Sequence, residues 1–224
     1  MSDRSTTTQL KANFIRVGKY LRRIPFTLCM VGLFLLVAWG TQSFFQELAR
    51  IWVSRLGFAP RDFWFFRWER LILSALVTSG GSIFWFALGM VSITSGFAEW
   101  MTGSRRAALT FWGVHLVTLV IESLLFLLPL HQLGFSQARI LFFSRDVGPS
   151  AGYMGSLGYI TTLLPKPWRW MAFGAILVFL IVSLFLPPRP SETQAVKLSA
   201  DMAHLIAFPL GWISAFLFER QTTL

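Results

Sequence analysis

"IPFTLCMVGLFLLVAWGTQSFFQ", residues 24–46, runs for 23 residues without a formal charge. A helix rises about 1.5 Å per residue, so roughly 20 apolar residues match the hydrocarbon thickness of a bilayer. Residues 71–98, 147–165 and 171–188 are equally free of charge. Residues 107–132 carry Glu122 as their one formal charge, beside His115 and His131, and 202–218 carry only His204. Across the whole chain 54% of residues are hydrophobic and 13% charged, whereas soluble domains carry about a quarter charged residues. These six stretches predict six membrane spans.

Unpaired backbone polar groups are too costly in hydrocarbon, so the spans are expected to be helices. Barrel strands are shorter and alternate in polarity, unlike these continuous runs. The predicted fold class is therefore an all-α polytopic membrane protein. A basic segment 1–23 leads into a six-span domain 24–218, and a short tail 219–224 follows. No stretch remains that is long enough for a large soluble domain.

The net charge of +10 raises nucleic acid as a partner, but its placement points to lipid. Arg4, Lys11, Arg16, Lys19, Arg22 and Arg23 precede the first span, opposed only by Asp3. That bias puts the N-terminus in the cytoplasm and favours contact with anionic headgroups. With six alternating spans, Arg105, Arg106, Lys166, Arg169 and Arg220 fall on the same side. Arg50, Arg55, Arg61, Arg67, Arg70, Arg139, Arg145, Arg189 and Lys197 fall on the other side. The first apolar run is too long for a signal-peptide core, so it is read as an uncleaved anchor. The expected location is a bacterial-type plasma (inner) membrane, with the lipid bilayer as partner and no nucleic acid. Cys29 is the only cysteine, which leaves no disulfide framework and no cysteine metal site. No paired broken helices of the transporter kind are evident.

The segment after the first span, residues 44–70, is not an ordinary loop. Phe44, Phe45, Leu48, Ile51, Trp52 and Leu56 recur at helical spacing with Arg50 and Arg55 between them. Such a pattern predicts an amphipathic helix in the membrane interface. Phe63, Trp64, Phe65, Phe66 and Trp68 follow as an aromatic belt. The segment either anchors the chain or braces the bundle as a partly immersed loop.

Ionisable side chains within spans are costly and mark candidate sites. Here they are His115, Glu122 and His204, joined by Ser150. If spans alternate, Ser150 and His204 both lie about 3–5 Å below the same membrane face, three residues after Val147 and two after Met202. A serine hydroxyl becomes a useful nucleophile once a base takes its proton, and neutral imidazole suits that task. Gly148 and Gly152 permit close backbone approach, Pro149 suits a first helical turn, and the free N–H groups of that turn can hold an oxyanion. Serine and glycine serve equally well in tight helix packing. An α/β-hydrolase elbow needs a strand before the serine, and none is predicted here.

Taken together, the chain resembles the rhomboid family of intramembrane serine proteases. Gly148-Pro149-Ser150 opens the fourth span and resembles the family's Gly-x-Ser-Gly. "AHLIAFPLG", residues 203–211, is similar to the family's Ala-His followed by small residues, here Ala207 and Gly211. "GFAEWMTGS", residues 96–104, resembles its Glu-x-x-x-Gly segment with Glu99 and Gly103 in register. "FRWERLI", residues 66–72, is similar to its Trp-Arg stretch, interrupted by Glu69.

The resemblance implies that Ser150 is the nucleophile and His204 its base. It further implies membrane-anchored protein substrates cut near the outer face, with no metal or organic cofactor. The oxyanion and substrate candidates are Gly148, Ala151, His115 and Ser82, with Thr78 and Ser79 as further hydroxyls. Glu122 is a candidate support, either for a protonated His204 or as an acceptor for a neighbouring helix. Tyr153 is a candidate packing partner of His204.

Three departures stand out. Ala151 replaces the glycine after the serine. Tyr153 stands three positions after the serine instead of four. The second span lacks the histidine and asparagine that help hold the oxyanion, with Ile83 and Ala87 near those places; Asn13 is the only asparagine. Two readings result: a divergent protease, or a non-catalytic rhomboid-like protein that binds or routes membrane clients, as derlin-type relatives do. A subunit of a larger membrane complex is a third.

Overall fold

The computed structural model describes residues 21–188 and 194–220, the last two without side chains. Asp3, Arg4, Lys11, Asn13, Arg16, Lys19, Arg189, the side chain of Arg220 and the tail 221–224 lie outside the described residues. Among the described residues the chain is helical, and the only strand-like features are two isolated bridges.

The helices are α1 (Pro25–Thr41), α2 (Arg50–Leu56), α3 (Glu69–Leu73), α4 (Ser82–Thr102), α5 (Ser104–Gln132), α6 (Ser136–Phe143), α7 (Ser150–Thr161), α8 (Lys166–Ser183) and α9 (Gln194–Arg220). Four of them, α4, α5, α8 and α9, are long and apolar enough to cross a membrane. With α1 shorter at 17 residues and many large apolar side chains exposed, this is a membrane protein.

Two charge-free stretches differ from the expected spans. Residues 71–98 do not form one helix. α3 and a 3-10 turn, Ser74–Leu76, give way to extended backbone before α4 starts at Ser82. Gly80 and Gly81 have φ of +83° and +57°, conformations in which side chains are strained. Leu48 N–H donates to Ser79 O at 2.9 Å and Gly81 N–H to Ser43 O at 3.0 Å, while Glu47 bridges Gly80. Absence of charge cannot distinguish helix from extended backbone whose polar groups are paired inside protein. The same pairing starts α2 at Arg50, six residues after the predicted amphipathic start at Phe44.

The second difference is α7, which has only 12 residues and so reaches about 18 Å. It lies at the centre, packed against α5 and α9, and eight of its side chains or glycines are buried. Protein rather than lipid surrounds it, so it needs no full apolar length. Its glycines set the spacing. A Cβ at Gly152 would meet Phe111 at 2.6 Å, and one at Gly155 would meet Val114 at 2.6 Å. At the other extreme, only 6% of the α8 window is buried.

Glu99, 1% exposed, ties α4 to the start of α1. It accepts from Phe26 N–H, Thr27 N–H and Thr27 Oγ1, each at 2.8 Å. A carboxylate there satisfies amides that a helix start leaves unpaired. Ala98, Ala107, Tyr159 and Ala215 cluster at the same end, with Phe26 and Phe218 packed on them. Arg22, Arg23, Arg105, Arg106, Lys166 and Arg169 border this end, and Arg23 lies 5.1 Å from the Trp100 ring. Glu99→Gln keeps one oxygen acceptor where three donors converge, so about 2 kcal/mol of stability should be lost. An unfolding titration in detergent checks this, and an unchanged midpoint would remove Glu99 from the list of structural ties.

At the opposite end, the loop after α1 is held by a buried carboxylate. Asp62 accepts from Arg145 Nη1 at 2.8 Å, Arg70 Nη1 at 3.4 Å and Ala59 N–H at 3.0 Å. Arg145 Nη1 also donates to Gly57 O at 2.8 Å. Phe58 and Asp146 exchange backbone hydrogen bonds at 3.0 and 2.8 Å. The loop therefore braces the bundle, and the segment it grips leads directly into α7.

Candidate functional site

Ser150 is the first residue of α7, directly after Pro149 at the N-cap. The first intrahelical amide donor here is Tyr153, bonding Pro149 O at 3.0 Å, so the amides before it point out of the helix end. Gly148 N–H donates to Ser74 O at 2.9 Å, and Val147 N–H to Asp146 Oδ1 at 2.8 Å. These bonds and the Arg145–Asp62 pair hold the turn from both sides.

A cavity of about 350 Å³ opens over this helix end. Ser150, Tyr153 and the 146–149 turn form its floor. Thr78 and Ser79 come from the extended segment, Ile83, Phe86 and Ala87 from α4, Phe179 and Ser183 from α8, and Lys197, Asp201 and His204 from α9. Phe86 and Phe179 are 57% and 65% exposed, so the wall between α4 and α8 is apolar and faces outward.

Ser150 and His204 thus line one cavity, although no hydrogen bond joins them. His204 Nε2 is buried without a hydrogen-bond partner. The Tyr153 ring lies 6.4 Å from the His204 ring at 40°, so a tyrosine three positions after the serine does reach this histidine.

His115 is placed differently. Its Nε2 lies 2.9 Å from Leu71 O. A carbonyl only accepts, so Nε2 carries the proton. The neutral ring then has no donor left for an oxyanion, and Nδ1 is buried unpartnered. His115 shares with Gly148, Ser150 and Ala151 a second pocket of about 10 Å³, roughly the room for one water. Ser82 is exposed on the first turn of α4 and lines neither pocket. Thr78 and Ser79, just before the turn at Gly80–Gly81, line the cavity instead.

Glu122, 3% exposed, opens a π turn in α5 and accepts from Ser199 Oγ at 2.7 Å. It ties α5 to α9, the second of the two roles expected for it. Among the described residues no three His, Cys, Asp or Glu side chains are grouped to hold a metal.

Lys197, Asp201 and Ser183 are the cavity groups that sequence reasoning missed. Ser183 Oγ donates to Asp201 Oδ1 at 2.9 Å, and Lys197 Nζ donates to Asp201 and to Ser183 O. Lys197, Asp201 and His204 share a helical face by spacing. The signal was available, but α9 begins at Gln194, about two turns before the apolar stretch taken as the span.

No family model matches the chain, and neither the curated proteins nor the solved structures give a match.

Proposed function

We propose that this protein is a divergent rhomboid-like intramembrane serine protease, with α1, α4, α5, α7, α8 and α9 as six spans. The observation that carries the reading is one cavity holding Ser150 at a helix N-terminus and His204 with an unpartnered Nε2. Ser150 Oγ bonds to the scissile carbonyl carbon as its proton passes to His204 Nε2 and the carbonyl π pair moves onto oxygen. Collapse of that oxyanion breaks the C–N bond, and His204 returns the proton to the leaving amine. Water then hydrolyses the acyl-enzyme through the same base. The free amides at the start of α7 face the developing oxyanion. Membrane-anchored proteins are the substrate class, because the outward-facing wall between α4 and α8 is apolar. The basic end formed by Arg22, Arg23, Arg105, Arg106, Lys166 and Arg169 is cytoplasmic in this reading, and the membrane is of the bacterial inner type.

A tagged fluorophosphonate probe tests the reading on purified protein. Wild type is labelled, Ser150→Ala has no nucleophile and takes no probe, and His204→Ala labels slower by on the order of 10⁶-fold, as for loss of the base in such a pair. A folded wild type that takes no probe would overturn it. The second reading, a non-catalytic binder of membrane clients, then takes its place. It is favoured by the missing second-span histidine and asparagine and by the absence of a Ser150–His204 hydrogen bond.

A further inference from the structure

The cavity has one hydroxyl whose placement is unusually well determined. Thr78 is 5% exposed and lines the same cavity as Ser150. Its Oγ1 accepts from Gly80 N–H at 3.3 Å. A hydroxyl has one proton to donate besides its lone pairs, and the Thr78 proton meets no acceptor among the described residues. An oxyanion arriving in the cavity is an acceptor that satisfies it.

The segment bearing Thr78 is rigid for reasons already visible. Ser79 O is taken by Leu48 N–H and Gly81 N–H by Ser43 O, at 2.9 and 3.0 Å. Gly80 cannot be replaced without collision, because a Cβ there would lie 2.8 Å from Leu48 N in a backbone already at positive φ. Oxyanion donors act through such preorganisation, since they need no reordering as charge develops. Of the other candidates, His115 has given its donor to Leu71 O and Ser82 lies outside, while Ser79 lines the cavity less deeply buried and with no hydrogen bond to fix its hydroxyl.

We infer that Thr78 is a catalytic residue, its hydroxyl donating to the oxyanion in the Ser150 cavity where the second span supplies no histidine or asparagine. This rests on the protease reading. The step is the attack already described, with the Thr78 O–H pointing at the oxygen that gains the π pair. In the probe reaction the Ser150 Oγ–P bond forms as the P–F bond breaks. Fluoride leaves, the Ser150 proton passes to His204, and the phosphoryl oxygen occupies the same place.

Labelling rates of wild type, Thr78→Ser and Thr78→Ala, with Ser150→Ala as blank, test the inference in detergent-purified full-length protein. Serine and alanine differ here only by the hydroxyl. Thr78→Ser should label within a few-fold of wild type, and Thr78→Ala about 10²-fold more slowly. Thr78→Val, close to threonine in volume, repeats the comparison, and melting curves confirm that each variant is folded. Equal rates for the serine and alanine variants, with wild type labelled and Ser150→Ala silent, would overturn the role of Thr78 and leave the protease standing. A silent wild type would overturn both.

Discussion

Valine in place of Gly211 will prevent the bundle from assembling. α7 and α9 cross with backbone against backbone, and a Cβ at Gly211 would fall on the Gly155 carbonyl oxygen and lie 2.6 Å from Gly155 Cα. Gly158 faces the Phe208 carbonyl of α9 in the same way. The atoms met are main-chain atoms inside helices, so no side-chain rotation relieves the clash. Separating the helices would forfeit their packing and displace His204 from Ser150. The cost is on the order of 4 kcal/mol, the upper range for single substitutions. The readout is the yield of monodisperse protein in detergent and its unfolding midpoint. Gly174→Ala in α8, where no atom lies within 4 Å of the added Cβ, should leave both unchanged. Wild-type stability for Gly211→Val would mean that α7 and α9 do not meet this closely.

Asp62→Ala carries the second large effect. Its carboxylate is 1% exposed, and the two guanidiniums it pairs are 9% and 12% exposed. Removing one partner of a buried ion pair costs about 3–5 kcal/mol, because the charges left behind lose their compensation. Arg145→Met should cost less, since Asp62 keeps Arg70 and the Ala59 amide. Proteolysis between α1 and α4 should accelerate in Asp62→Ala, because the same pairs pin that loop. Labelling of Ser150 should slow as well, since Arg145 anchors the turn before α7. If Arg145→Met proved the more damaging, Asp62 would not be the hub.

The membrane character was legible because charge-free length is a direct consequence of the solvent. No tertiary information is needed to know that hydrocarbon excludes charge. That Ser150 and His204 line one cavity was legible because both stand near the start of apolar runs. The basic end was legible for the same reason, from cations beside span termini. Glu122 was visible as an anomaly, but whether it served His204 or a neighbouring helix depended on which turn of α9 faces α5, which periodicity alone does not give.

Other features were decided only by folding. Residues 77–81 carry no charge and read as span, yet they are not helical, because Gly80 and residues 43–48 offer a pairing that removes the need for a helix. α7 has only 12 residues where a span in lipid needs about 20, because protein replaces lipid around it. Lys197 and Asp201 join the cavity because α9 starts earlier than its apolar stretch. Sequence alone determined the solvent in which this chain folds, its helical class and the pair of residues worth watching. Only the tertiary structure decided that Thr78 and Ser79 line one cavity with Ser150, since that depends on a turn whose partners lie more than 30 residues away.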